Sequence, residues 1–97
     1  MTPAGVDIGG TKCLGVLMRD GEIVATARRP TPVAAGLPDV IADLLDELGP
    51  CASFGVGAPG LVTLDGVMRA SPNVREADEY PLRARLEARL GRPVAVA

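Results

Sequence analysis

The sequence predicts a mixed α/β sheet that opens with three antiparallel strands and continues into two parallel ones. Three observations carry this. Apolar runs of strand length follow one another closely over residues 4–29, broken only at Gly9-Gly10 and Asp20-Gly21. Two segments of helical periodicity, starting at Leu37 and at Pro81, each stand between strand-like runs. A helix set between two strands implies parallel pairing through a right-handed crossover.

The runs AGVDI (residues 4–8) and CLGVLMR (13–19) are enriched in strand formers and flank GGTK. Asp20-Gly21 is a two-residue hairpin signal, and IVATARR (23–29) follows as the third strand. PTPVAAGLP (30–38) is a proline-rich crossing loop. Beyond it, Leu37, Val40, Ile41, Leu44, Leu45 and Leu48 recur at three- and four-residue spacing, opposite Asp39, Asp43, Asp46 and Glu47. That pattern is an amphipathic helix, with Pro38 in its first turn and Gly49-Pro50 as its stop. ASFGVGA (52–58) is a buried strand, Pro59-Gly60 a turn, and LVTLDGVMRA (61–70) two short strands joined at Asp65-Gly66. SPNVREADEY (71–80) is an irregular polar loop. Pro81 begins a second helix with Leu82, Leu86 and Leu90 on one side, an Arg83–Glu87 surface pair and Gly91 as its stop, and PVAVA (93–97) restarts as a strand.

A chain of 97 residues is at most one domain, with a core that covers only part of its own surface. Hydrophobic residues make up 47%, with one Phe, one Tyr and no Trp, so the core is aliphatic. The net charge of -2 and the scarcity of aromatic rings give neither a basic face nor a stacking platform for nucleic acid, and no polybasic run for a membrane surface. No apolar run reaches spanning length and no signal-peptide pattern opens the chain, so a cytoplasmic protein is expected. Cys13 and Cys51 are too far apart for a CxxC pair, and the absence of His removes a zinc site of mixed ligands and any His-based acid/base chemistry. Both cysteines fit the pattern of small buried hydrophobes.

The chemistry gathers in VDIGGTK. Two glycines at a turn between strands let backbone N–H groups converge and let an anion come into contact, the arrangement of a phosphate cradle. Asp7 at the end of the first strand can hold Mg²⁺ through water, since Mg²⁺ dehydrates reluctantly and takes few carboxylates. Thr11 and Lys12, the chain's only lysine, add a hydroxyl and a point charge for the same phosphates. The same Gly-Gly turn with a flanking Asp also serves as plain hairpin chemistry. GVGAPG (55–60) repeats the design of a strand ending in glycines and a proline, which is equally a rigid turn. Asn73 in SPN offers donor and acceptor to a sugar hydroxyl, in a tripeptide that is also an ordinary turn.

In order along the chain, GVDIGGTK, GVGAPGLV and ASPN resemble the ROK family, the repressor, open-reading-frame and kinase group that includes bacterial glucokinases. The resemblance covers nearly the whole chain. It implies the ribonuclease H-like fold of the actin-like ATPase and sugar kinase superfamily, with residues 1–97 as an incomplete N-terminal lobe. It further implies an ATP-dependent hexose kinase in which Asp7, Gly9, Gly10, Thr11 and Lys12 bind Mg·ATP, Asp7 being the metal residue. Gly60 and Asn73 match positions that touch the sugar. The family's base lies in an Asn-Asp-x-Asn motif directly after the strand matching PVAVA, so no catalytic residue is expected within these residues and the isolated chain is expected to be inactive. Asp65 and Asp78, the remaining loop carboxylates, fit a hairpin turn and a solvated loop. ROK kinases often form dimers, so a homodimer stays open. The alternative is a non-catalytic ROK-fold module that binds sugar or nucleotide, or a partner. A repressor would need a DNA-binding module ahead of the hairpin, for which the residues before it leave no room.

Overall fold

The computed structural model describes residues 2–71 and 74–97. Its main sheet holds β1 (Pro3–Ile8), β2 (Lys12–Arg19), β3 (Glu22–Pro30), β4 (Ser53–Gly57) and β7 (Ala95–Val96), in the order β3-β2-β1-β4-β7. β1 and β2 pair antiparallel, as do β2 and β3, whereas β4 runs parallel to β1 and β7 parallel to β4. The expected change from antiparallel to parallel pairing is therefore present. Asp20 and Gly21 both take positive φ (53° and 80°), the twist that lets a two-residue loop join β2 to β3 without splaying them.

A single 3-10 turn (Ala34–Gly36) leads into α1 (Leu37–Leu48), and α2 (Leu82–Leu90) follows a small two-stranded sheet of β5 (Leu61–Val62) and β6 (Met68–Ala70). Both helices begin beside the prolines expected to start them. α1 buries Leu37, Ile41, Leu44 and Leu48, the stripe its spacing predicts. Facing it are Ala4, Val6 and Ile8 of β1, Cys13 and Leu17 of β2, and Phe54 and Val56 of β4, all in one buried cluster with Leu82 and Leu86 of α2. Full burial of each such aliphatic side chain contributes about 1.5–3 kcal/mol. Both helices cover this face alone. On the other face Gly5, Leu14, Val16, Gly55 and Ala95 line an open apolar groove of about 500 Å³.

Two local expectations are revised. Arg83 and Glu87 do not pair: the guanidinium of Arg83 donates to the Leu64 carbonyl (3.2 Å), and Glu87 Oε2 accepts from the Val94 amide (3.0 Å), fastening α2 to the β5–β6 hairpin and to the approach to β7. The loop 71–80 is not wholly polar and solvated either. It buries Val74 and Ala77, its Arg75 carbonyl accepts from the Ala34 amide (2.9 Å), and Tyr80 exchanges backbone hydrogen bonds with Met68. Among the described residues no helix is long and apolar enough to cross a membrane.

Candidate functional site

The β1–β2 hairpin is closed by one backbone bond, from the Gly9 amide to the Lys12 carbonyl (3.0 Å). That closeness is why Gly9 carries no side chain: a Cβ there would stand 2.7 Å from the Lys12 carbonyl oxygen, inside any tolerable contact. The Gly10 and Thr11 amides make no backbone hydrogen bond among the described residues, and Gly10, Thr11 and Lys12 are exposed. Two free donors therefore lie at the tip of a tight turn, with the Lys12 ammonium beside them. Convergent free amides at a tight turn are the arrangement by which a backbone can meet an anion.

Asp7 is the last outward-facing residue of β1, on the open face of the sheet opposite Leu14 of β2 and Gly57 of β4. A Cβ on Gly57 would lie 3.6 Å from Asp7 Oδ1, so the carboxylate rests over a strand position without a side chain of its own. It has no hydrogen-bond or ion-pair partner among the described residues. No group of three or more His, Cys, Asp or Glu among the described residues could hold a metal. A single free carboxylate beside a turn with free amides is a donor set of the kind Mg²⁺ takes, since that ion keeps several waters and binds through one or two carboxylates.

Gly60 ends the turn that follows β4 and takes a positive φ of 79°, a conformation that favours glycine. Because β1 and β4 run parallel, this turn and the Asp7 end of β1 lie at the same edge of the sheet, as does the end of β7, where Ala97 exchanges backbone bonds with Val56 and Ala58. Carboxyl ends of adjacent parallel strands are the usual place for a ligand crevice in an open α/β sheet. The structure thus gathers Asp7, Gly9, Gly10, Thr11 and Lys12 in one hairpin and sets the Gly60 turn at the same edge. Asn73 lies outside the described residues.

Thr31 belongs to the site although the sequence offered no sign of it. Its hydroxyl donates to the Gly9 carbonyl (2.7 Å), its amide donates to the Thr11 carbonyl (3.0 Å), and its Oγ1 lies 3.6 Å from Cys13 Sγ. One residue just after β3 thereby pins both ends of the cradle. Burial pushes the Cys13 thiol above its ordinary pKa; the hydrogen bonds to Thr31 and Gly9 pull it down, and the charge of Asp7 adds to the rise. Cys13 is fully buried, so it is a packing residue beneath the hairpin and not a nucleophile.

Known proteins share this architecture. The chain is 40% identical over 99 residues to the N-acetyl-D-glucosamine kinase of Vibrio parahaemolyticus, a match that covers 95% of the chain and 33% of that relative. It is 38% identical over 98 residues to the glucokinase of Streptomyces coelicolor, covering 95% of the chain and 31% of the relative. The chain therefore spans about a third of the length of the curated relatives it matches. A ROK family glucokinase from Streptomyces griseus, solved in complex with glucose and AMPPNP, superposes with a TM-score of 0.87 at 32% identity, over 99% of this chain and 32% of that one. The fold is the N-terminal lobe of an actin-like ATPase, with the antiparallel and parallel pairing that the sequence predicts. The ROK family model matches residues 3–97, and the chain belongs to the ROK family.

Proposed function

We propose that these residues form the phosphate-binding part of an ATP-dependent hexose kinase, in which Asp7, Gly9, Gly10, Thr11 and Lys12 hold Mg·ATP and the Gly60 turn and Asn73 meet the sugar. The observation that carries this is the hairpin itself. Its glycine admits no side chain, two of its amides make no backbone bond, and its lysine and its aspartate have no partner among the described residues. A turn serving only to reverse the chain needs none of these together.

In phosphoryl transfer the protein supplies position and charge. The Gly10 and Thr11 amides and the Lys12 ammonium hold the donor phosphates against the end of the sheet, and they oppose the charge that builds on the transferred group. Asp7 is the residue that would hold Mg²⁺, and the ion would supply charge neutralisation to the donor phosphates. The proton of the attacking sugar hydroxyl must go to a carboxylate. Asp65 sits in a turn packed on α2, where the Arg83 amide donates to the Gly66 carbonyl (3.0 Å), and Asp78 sits in the exposed turn before Tyr80. Neither lies at the hairpin. The 97 residues by themselves accordingly transfer no phosphate.

In the full-length protein, Gly9→Ala and Lys12→Gln should each raise the KM for ATP by about tenfold or more, the loss of one charge-assisted contact. An unchanged ATP KM in both variants would remove the hairpin from the donor site. Hexose 6-phosphate produced by the purified 97-residue chain would show that a base lies within it.

A further inference from the structure

We propose that Arg28 is a second cation of the donor site, binding the same chain of linked phosphates as Lys12. This rests on the hairpin being the donor site, and it adds a residue from β3 that the glycine-rich motif does not contain. Residues directly opposite on antiparallel strands share a face of the sheet. Leu14 stands opposite both Asp7 of β1 and Arg28 of β3, and Lys12 stands opposite Pro30. Asp7, Lys12 and Arg28 therefore all rise from the open face, at the hairpin end of three adjacent strands. The neighbouring Arg29 projects to the opposite face, where its guanidinium pairs with Glu47 of α1 (2.7 Å).

The surroundings of Arg28 point to an anion. Thr11, Lys12, Arg28, Arg29 and Pro30 line a groove of about 350 Å³ that continues from the hairpin tip toward the edge of the sheet. No carboxylate lines it. Arg28 is exposed and its guanidinium, like those of Arg19, Arg75 and Arg85, has no hydrogen-bond or ion-pair partner among the described residues, but of these only Arg28 lines this groove. Two unpaired cations thus flank one groove. Strands lie about 4.8 Å apart, so β1 and β3 are separated by about 10 Å. A single phosphate does not span that, but a linked chain of phosphates lying across β2 does. The planar fork of an arginine suits phosphate oxygens along such a chain.

The test uses the full-length protein, with Lys12→Gln, Arg28→Gln and Arg28→Lys compared for the KM of ATP, the KM of the sugar, the Ki of inorganic tripolyphosphate and the melting temperature. Arg28→Gln should raise both the ATP KM and the tripolyphosphate Ki about tenfold with the sugar KM and the melting temperature unchanged, and Arg28→Lys should restore most of the loss. If Lys12→Gln weakens ATP binding and Arg28→Gln does not, Arg28 is no part of the site while the hairpin remains the donor site. If neither variant changes ATP binding, the hairpin is not the donor site and the proposal falls with it. A lowered melting temperature together with equal rises in both KM values would make Arg28 a support of β3 and would equally overturn the proposal.

Discussion

Thr31 is the residue on which the geometry of the cradle depends. Its side chain meets Gly9 across 22 positions of sequence, and its backbone amide meets Thr11, so the hairpin is held from a neighbouring segment and not by its own turn alone. Replacing the hydroxyl should be felt twice. Thr31→Val keeps the shape and the amide bond, loses the bond to the Gly9 carbonyl, and should cost about 1 kcal/mol in urea unfolding while raising the KM for ATP in the full-length protein. Thr31→Ser, which keeps the hydroxyl, should stay near the wild type in both. The sequence hid this residue because nothing in a proline-rich connection marks one threonine as the partner of a glycine. That Asp7, Gly9, Gly10, Thr11 and Lys12 gather in one hairpin was legible for the opposite reason: they are contiguous in the chain, and contiguity is what a motif records.

Among the elements, α1 packs closely onto β2. Gly15 lies at the centre of β2, where a Cβ would come within 3.1 Å of Leu48 Cδ1 and 3.6 Å of Leu44 Cβ, so the helix rests almost directly on the strand backbone. Gly15→Val should force α1 outward and cost about 1–3 kcal/mol by chemical denaturation. Gly5→Ala faces the open groove, with its nearest atoms at 3.8 Å, and should stay within about 1 kcal/mol of the wild type. The sequence located both helices and every strand because period 3.6 and the turn signals at Asp20-Gly21, Gly49-Pro50 and Gly91 agree with one another. It did not reveal which face of β2 is buried, since Cys13, Gly15 and Leu17 on one side and Leu14, Val16 and Met18 on the other are equally apolar. Nor did it reveal the true partners of Arg83 and Glu87. Helical spacing puts them in reach of each other, but a buried backbone amide at Val94 and a free carbonyl at Leu64 offer each a fixed partner.

For the molecule as a whole, stability depends on pH chiefly at the alkaline end. Burial raises the pKa of the Cys13 thiol, and burial likewise raises that of Tyr80, which the charge of Asp39 raises further and that of Arg85 lowers. A group whose folded pKa is raised holds its proton longer when folded than when unfolded. Its contribution is complete below the unfolded value and is lost as pH rises through the folded one. Resistance to urea should therefore be flat through neutrality and fall above about pH 8.5, where free thiols begin to ionise, and Cys13→Val should flatten the first part of that fall. Among the described residues the ion pairs Arg29–Glu47, Arg69–Glu79 and Arg89–Asp39 are all at the surface, so added salt should move stability little. The change from antiparallel to parallel pairing could be read in advance because a helix between two strands leaves few ways to join them, and the order of the strands across the sheet came only with the structure. The seal over Cys13 also makes the protein its own clock. With Cys51 replaced by Ser, the one remaining thiol lies beneath the hairpin at zero exposure, and a thiol-specific dye can reach it only in the instants when the hairpin lifts. The labelling rate then counts those openings directly, and a compound that settles in the cradle will announce itself by slowing the colour change, with no substrate turned over.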